Sequence, residues 1–397
     1  MKRSYKILFT VFVFVIGIFS TQKLLKKYQT YSKFISFLNN KDCDYDVFFL
    51  GTSHVLNGIY PMDLWNDFGI TSYNFAWHST PIATNYYLLK MAEKKNKPKI
   101  VFIDILQLQE DIKYNVYIHQ LFDYFPLDEI KYEAVNDFLP GKNNFIKRME
   151  FYFPFIYCHN TWLDLKANNF HKELPTKGAD LRIGVKVPQE FGLTVPEYTG
   201  KESTGIEYSK KIISFCKENG IIPVFCLIPY PVQYYLNDWK KELINILDNE
   251  NIVFLEFPED IVDFDTDMYD LNSHLNPSGA KKVTRFIGEY ISKNYDGLCK
   301  KTDLQINNWN ADYKRYFDYC VQKLNEQQDM TAYLMMLYNK EYYSEIYMGK
   351  TFVPSKIENK LIEQIPAKKI VSEQNDFRIH VKVYKSIDNE LISEKYF

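Results

Sequence analysis

The stretch that decides the fold is Val47-Phe48-Phe49-Leu50-Gly51-Thr52-Ser53-His54. An unbroken apolar run stopped by glycine reads as a short strand buried on both faces, with the chain turning immediately after it. Working outward, the same alternation recurs. Met62–Phe68 reads as a short helix closed by Gly69, Ser72–Ala76 as a second strand, Ile82–Ala92 as a helix, and Ile100–Leu106 as a third strand that is apolar except for Asp104. Further on, Ile206–Cys216 reads as a helix ending at Gly220, a favoured residue just past a helix end. Ile221–Ile228 then reads as a fourth strand, Val232–Leu247 as a helix and Ile252–Phe257 as a fifth strand. Asn276 can cap a last helix that Pro277 opens, with Val283, Phe286, Ile287, Tyr290 and Ile291 along its apolar face. Strands of this kind alternating with helices predict an α/β domain, a parallel sheet covered on both faces, with any ligand site at the carboxyl ends of the strands.

The chain has 397 residues, 46% of them hydrophobic, enough for a sizeable core; a disordered protein and a disulfide-stapled miniprotein are excluded. Forty-eight Lys and Arg against fifty Asp and Glu leave a net charge of −2, so no bulk attraction to nucleic acid is present. Aromatic residues make up 17%, which suits either a compositional bias or a sugar-stacking surface. Cys43, Cys158, Cys216, Cys226, Cys299 and Cys320 form no C-x-x-C pair, which argues against a zinc or redox motif. Cys216 and Cys226 fit as small core hydrophobes.

Lys2, Arg3 and Lys6 precede an apolar run from Ile7 to Phe19, and no small-x-small cleavage pattern follows it. Residues 1–27 are therefore expected to form an uncleaved signal anchor; Tyr5–Leu25 can cross a bilayer with Lys6 and Lys23 snorkelling to its faces. The alternative is a buried N-terminal helix. Residues 28–299 make up the α/β domain, with a Tyr-, Phe- and Asn-rich insertion at about 107–200. Residues 300–397 read as an appended helical and hairpin element. Trp309–Leu324 and Met330–Tyr347 are expected helical, Phe377–Tyr384 alternates like a half-buried strand, and Leu391–Phe397 returns beside it.

Two loops carry chemistry. Thr52 and Ser53 follow the first strand, where a hydroxyl sits on the sheet's active edge beside main-chain N–H groups. Asp270-Leu271-Asn272-Ser273-His274-Leu275-Asn276 follows the fifth strand, and a histidine there can lean over the same edge with an acid on its other nitrogen. Serine, histidine and aspartate in one pocket are a nucleophile, its base and the base's orienter, the set used for acyl transfer. His54 is placed to open the helix or touch substrate, His78 to line or cap the pocket, and Asp104 to position the loops. His119, His159 and His171 lack metal-ligand spacing, and no phosphate- or dinucleotide-binding glycine fingerprint occurs, so no metal and no cofactor is expected.

On these motifs the sequence resembles the SGNH (GDSL-like) hydrolases. It is nearest the membrane-anchored, extracytoplasmic branch of the teichoic-acid D-alanylation protein and the alginate- and peptidoglycan-acetylating proteins. Gly51-Thr52-Ser53 matches the family's first block, and Asp270 through Asn276 matches its last, over about residues 46–293. The resemblance implies a flavodoxin-like three-layer sheet, with Ser53 as nucleophile, His274 as base and acid, and Asp270 orienting it. The chain departs from the pattern in places. Asp270 lies four residues before His274 rather than three, leaving Asp267 as an alternative acid. The oxyanion-hole glycine is missing from Asn74-Phe75-Ala76-Trp77-His78-Ser79, where a backbone N–H from Ala76 through Ser79 could serve instead. The family's later asparagine has no counterpart, with Gln107 and Gln109 the nearest candidates.

The function so implied is serine-dependent acyl transfer at the outer face of the cytoplasmic membrane, with an acetyl or D-alanyl group passing to a cell-surface polysaccharide or teichoic acid. The implied partner is a membrane-bound O-acyltransferase, with the insertion shaping an acceptor cleft. The alternatives are a glycan deacetylase using the same residues and a catalytically silent protein that keeps the fold for assembly.

Overall fold

The computed structural model describes residues 2–29, 33–40, 44–109, 116–153, 156, 174–187, 203–231, 237–270, 274–295, 297, 300–365, 368–373 and 377–397. The run read first is a strand, β1 (Val47–Leu50), buried at every position. It sits second in a sheet with β2 (Ser72–Asn74), β3 (Ile100–Asp104), β4 (Ile222–Cys226) and β5 (Val253–Leu255), in the order β2-β1-β3-β4-β5. Every pairing is parallel, with Val47 opposite both Ser72 and Ile100. This is the flavodoxin-like order, in which the direction of winding reverses between β1 and β3. The reversal opens a crevice at the carboxyl ends of those strands, just beyond Leu50 and Asp104.

Side chains of β1 and β3 alternate between the layers, as the two-residue period of a strand requires. Phe48, Leu50, Val101 and Ile103 enter one core with Leu88 and Leu89 of helix Ile82–Glu93, Ile212 and Cys216 of helix Thr204–Asn219, and Leu243 of helix Asn237–Asn249. Val47, Phe49, Ile100 and Phe102 enter the other with Leu64 of helix Pro61–Phe68 and Val283, Ile287 and Ile291 of helix Pro277–Asn294. Burying side chains of this size stabilises the fold by about 1.5–3 kcal/mol each.

The insertion contains helices Val116–Phe122, Glu129–Phe138 and Phe145–Tyr152, which its weak periodicity did not reveal. The segment Leu174–Val187 runs as an irregular strap; the parts of the insertion at 110–115, 154–155, 157–173 and 188–200 lie outside the described residues. So do Cys43, Cys158, Cys299, His159 and His171, as well as the first residues of the helix expected from Val232, which is described from Asn237. The cysteines Cys216, Cys226 and Cys320 are free and buried. The N-terminal run lies within helix Lys2–Gln29, which exposes Tyr5, Leu8, Phe9, Phe12 and Phe14. Among the described residues no helix is long and apolar enough to cross a membrane.

The C-terminal lobe corrects one expectation. Helix Met330–Met336 stops early, and Tyr342–Gly349 is a strand, β6, not the continuation of a helix. Its residues Tyr342, Ser344 and Ile346 point inward and alternate with half-buried neighbours, a period of two that the aromatic content of the run obscured. With β7 (Lys368–Glu373), β8 (Ile379–Lys385) and β9 (Leu391–Tyr396) it forms a second sheet in the order β7-β6-β8-β9. Helices Met330–Met336 and Lys356–Gln364 supply Tyr333, Leu334, Leu361 and Ile362 to its core.

Gly205 opens helix Thr204–Asn219 against the chain leaving β3: a methyl group there would fall 2.0 Å from the Leu108 carbonyl oxygen. Ser203 Oγ donates to that same carbonyl at 2.6 Å, so the approach is fixed from both sides. Gly205→Ala is expected to destabilise the domain by about 1–3 kcal/mol, read as a lowered thermal midpoint; an unchanged midpoint would refute the close approach.

Candidate active site

β1 ends at Gly51, where a Cβ would lie 2.5 Å from Val55 Cγ2 and 2.8 Å from Asp104 Cβ, so only glycine lets the chain turn here. Thr52 caps the helix Ser53–Gly58, its hydroxyl accepting the His54 N–H at 3.3 Å. This turn puts Ser53 at the head of the helix, on the crevice. The neighbouring loops are fixed by Asp104, whose carboxylate oxygens accept the N–H groups of Ile228 at 3.0 Å and Leu106 at 3.3 Å. Burial pushes this carboxyl up to about 7 despite those two donors.

The opposing loop is built just as tightly. Met268 and Leu275 form an antiparallel bridge, Tyr269 N–H donates to His274 O at 2.8 Å, and Asn276 N–H donates to Asp267 O at 2.9 Å. The closed loop places Asp270 beside His274 across the turn. One Asp270 oxygen accepts the His274 backbone N–H at 3.1 Å; the other lies 2.8 Å from His274 Nδ1. On the far side of the ring, His274 Nε2 stands 2.8 Å from Ser53 Oγ. The structure therefore brings Ser53, His274 and Asp270 into one hydrogen-bonded row, and the four-residue acid–histidine spacing is accommodated by the bridged loop. Asp267, the alternative acid, faces away: it is fully buried, ion-paired to Lys282 at 2.6 Å, and accepts the Asp263 N–H at 2.8 Å. Leu271, Asn272 and Ser273 lie outside the described residues.

The other expected pocket residues divide. His54 is packed in the site, its ring 4.9 Å from that of His274 and 5.1 Å, edge-on, from Tyr230. Burial, then the like charge of His274, hold it at about 3, so it is a neutral imidazole beside His274. Asn74 is not in the pocket. It is fully buried, donating to Val55 O at 2.8 Å and Ile59 O at 3.0 Å, and its oxygen accepts the Ala76 N–H at 3.0 Å. The Ala76 and Trp77 N–H groups are thus engaged, the latter by Gly51 O at 3.2 Å, and neither is placed to receive a developing oxyanion. Ser79 sits at a left-handed turn with φ of 46°, and the ring of His78 packs 5.2 Å from Trp77 and 5.7 Å from Tyr117. Burial, with Arg182 next, lowers the His78 pKa. No hydrogen bond among the described residues joins Gln107 or Gln109 to Ser53 or His274.

Other residues of the site gave no signal in the sequence. Lys33 is buried, and its Nζ donates to the carbonyls of Asn74, Ala76 and Gly178, tying helix Lys33–Asn39 to the chain leaving β2 and to the strap. Burial lowers its pKa, with Asp180 acting in opposition. The strap crosses beside the site, with Asp180 N–H on Leu56 O at 3.0 Å and Lys186 N–H on Met268 O at 3.0 Å. Its Gly178 fits only without a side chain, since a Cβ would meet Asn74 O at 2.2 Å. These partners are far apart in sequence and chiefly main-chain atoms, which no residue pattern announces. Among the described residues no group of His, Cys, Asp and Glu could hold a metal ion.

No family model matches the chain, and no curated protein matches it. Solved structures resemble it distantly. One, described as a lipolytic protein of the G-D-S-L family from Desulfitobacterium hafniense, aligns over 62% of this chain and 99% of its own, with 13% identity and a TM-score of 0.31. Another, described as an acylhydrolase from Bacteroides fragilis, aligns over 64% of this chain and 89% of its own, with 9% identity and a TM-score of 0.32.

The buried neutral His54 makes stability pH-dependent. Unfolded, it takes a proton near pH 6.5; folded, only near 3, so stability falls as pH drops through that window. His54 alone is expected to remove about 2 kcal/mol between pH 7 and pH 5. His54→Gln should flatten that part of the dependence of the urea midpoint; an unaltered slope would contradict the neutral assignment.

Proposed function

We propose that the protein is a serine-dependent acyl ester enzyme of the SGNH type, in which Ser53 is the nucleophile, His274 the base and Asp270 its orienter. The observation that carries the reading is the unbroken row from Asp270 through His274 to Ser53, with both nitrogen contacts of the ring at 2.8 Å. Ser53 Oγ attacks the carbonyl carbon of an acyl ester while His274 Nε2 takes its proton, and the resulting oxyanion collapses to an acyl-serine. The departing alcohol leaves with the proton held on His274. A second hydroxyl, or water, then gives His274 its proton and attacks the acyl-serine, regenerating Ser53. Asp270, bound at both oxygens to His274, fixes the tautomer with hydrogen on Nδ1 and stabilises the imidazolium. The dipole of helix Ser53–Gly58 favours negative charge forming at its head.

Transfer rather than hydrolysis is the favoured outcome, with a cell-surface polysaccharide or teichoic acid as acceptor and a membrane-bound O-acyltransferase as partner. What favours it is the apolar surface of helix Lys2–Gln29, which buries its exposed Leu8, Phe9, Phe12 and Phe14 if it lodges in a membrane. Anchoring raises the enzyme's effective concentration beside a membrane-borne acyl donor.

Incubation with a fluorophosphonate probe should label the wild type and leave Ser53→Ala unlabelled. Asp270→Asn is expected to slow labelling by about a hundredfold or more through loss of the correct tautomer. Folded wild type that resists the probe would dismiss the assignment. Mass spectrometry of an oligosaccharide mixed with enzyme and an acyl ester separates transfer, which adds the acyl mass, from hydrolysis, which does not.

A further inference from the structure

The loop that presents Asp270 and His274 is gripped from outside its own domain. Helix Lys356–Gln364 of the C-terminal lobe sets Lys360 Nζ 2.9 Å from Asp263 Oδ2 and 2.7 Å from Asp265 Oδ2. One turn further on, Gln364 Nε2 donates to Thr266 Oγ1 at 2.9 Å, and its Oε1 accepts from Lys282 at 3.3 Å. Lys282 also holds the buried Asp267. The chain from Asp263 to Asp267 is thus pinned from the lobe side, only a few residues before Asp270. The bridge Met268–Leu275 carries that constraint into the catalytic turn. The helix is itself a firm platform. A reciprocal Ser355–Glu358 cap starts it, and Leu361 and Ile362 anchor it in the lobe's core.

Magnitudes decide what this contact is for. Lys360 and its partners are about one-third exposed, so water screens each ion pair and the set is no large source of global stability. Alignment is far more sensitive: a displacement of about 1 Å in a reacting group can cost about a hundredfold in rate. We propose that Lys360 and Gln364 are positioning residues, through which the C-terminal lobe sets the placement of Asp270 and His274 against Ser53. The proposal rests on the serine-acyl reading of that site.

The experiment uses the full chain and two measurements: the second-order rate of Ser53 labelling by a fluorophosphonate, and amide hydrogen exchange over 263–276. Lys360→Ala and Gln364→Leu are each expected to label at least about tenfold more slowly and to exchange faster in that segment. Lys360→Arg, which keeps a cation between the two carboxylates, should label within about threefold of wild type. Labelling at the wild-type rate in Lys360→Ala, or exchange in the segment unchanged in both variants, overturns the proposal, as does a lowered thermal midpoint with labelling intact. Folded wild type that never labels overturns the serine reading instead, and the exchange measurement still decides whether the lobe holds the loop.

Discussion

The site depends on one buried amide. Asn276, fully enclosed, accepts the N–H groups of Ser278 and Gly279 at 3.1 and 3.2 Å and donates to the carbonyls of Gly184, Thr266 and Met268 at 3.0, 2.8 and 3.3 Å. It joins the start of the last sheet-covering helix, the strap and the loop that bears Asp270 and His274. Apart from half-buried Gly184, these main-chain groups belong to buried residues, where an unpaired donor or acceptor costs about 1–3 kcal/mol. A side chain with donors on one atom and an acceptor on the other is what satisfies both kinds of group at once, and a carboxylate of the same shape could not. Gly279 belongs to the same joint, since a Cβ there would press to 2.8 Å from Asp267 O.

Around that joint the sheet does the coarse placement. The strand order brings the ends of β1 and β3 to the reversal point, and Gly51, Asp104 and Asn74 convert the crevice into fixed loops. Asn74 spends its amide on the carbonyls of Val55 and Ile59, so it secures the helix that Ser53 begins. Helix, strap and lobe then approach from different parts of the chain, and the loop that bears Asp270 and His274 is shared among them.

How much of this was legible in the sequence varies with range. The strands announced themselves because burial on both faces demands apolar runs, and Ser53, Asp270 and His274 stood out because few residue types do their chemistry. The strand order did not, since nothing in Val47–Leu50 says which neighbours flank it. Tyr342–Gly349 was misread because its alternation mixes tyrosines with isoleucine and serine, which serve helix and strand templates about equally. Asn74 and Ala76 fall where the resemblance expects the oxyanion-hole glycine, whereas Asn74 turns to the carbonyl of Ile59 at the helix end and its oxygen takes the Ala76 N–H. Lys33 was invisible for a related reason: its partners are carbonyls, which every residue carries.

Lys33 also bears on mechanics. Its Nζ is held by the carbonyls of Asn74 and Gly178, yet only residues 30–32 separate it from the end of helix Lys2–Gln29, a span of at most ~14 Å from Gln29 to Lys33. Were that helix lodged in a bilayer, the α/β body could not swing on a long leash. It would ride at a nearly constant height above the lipid headgroups, and the reach of Ser53 from that surface would be fixed by the short tether.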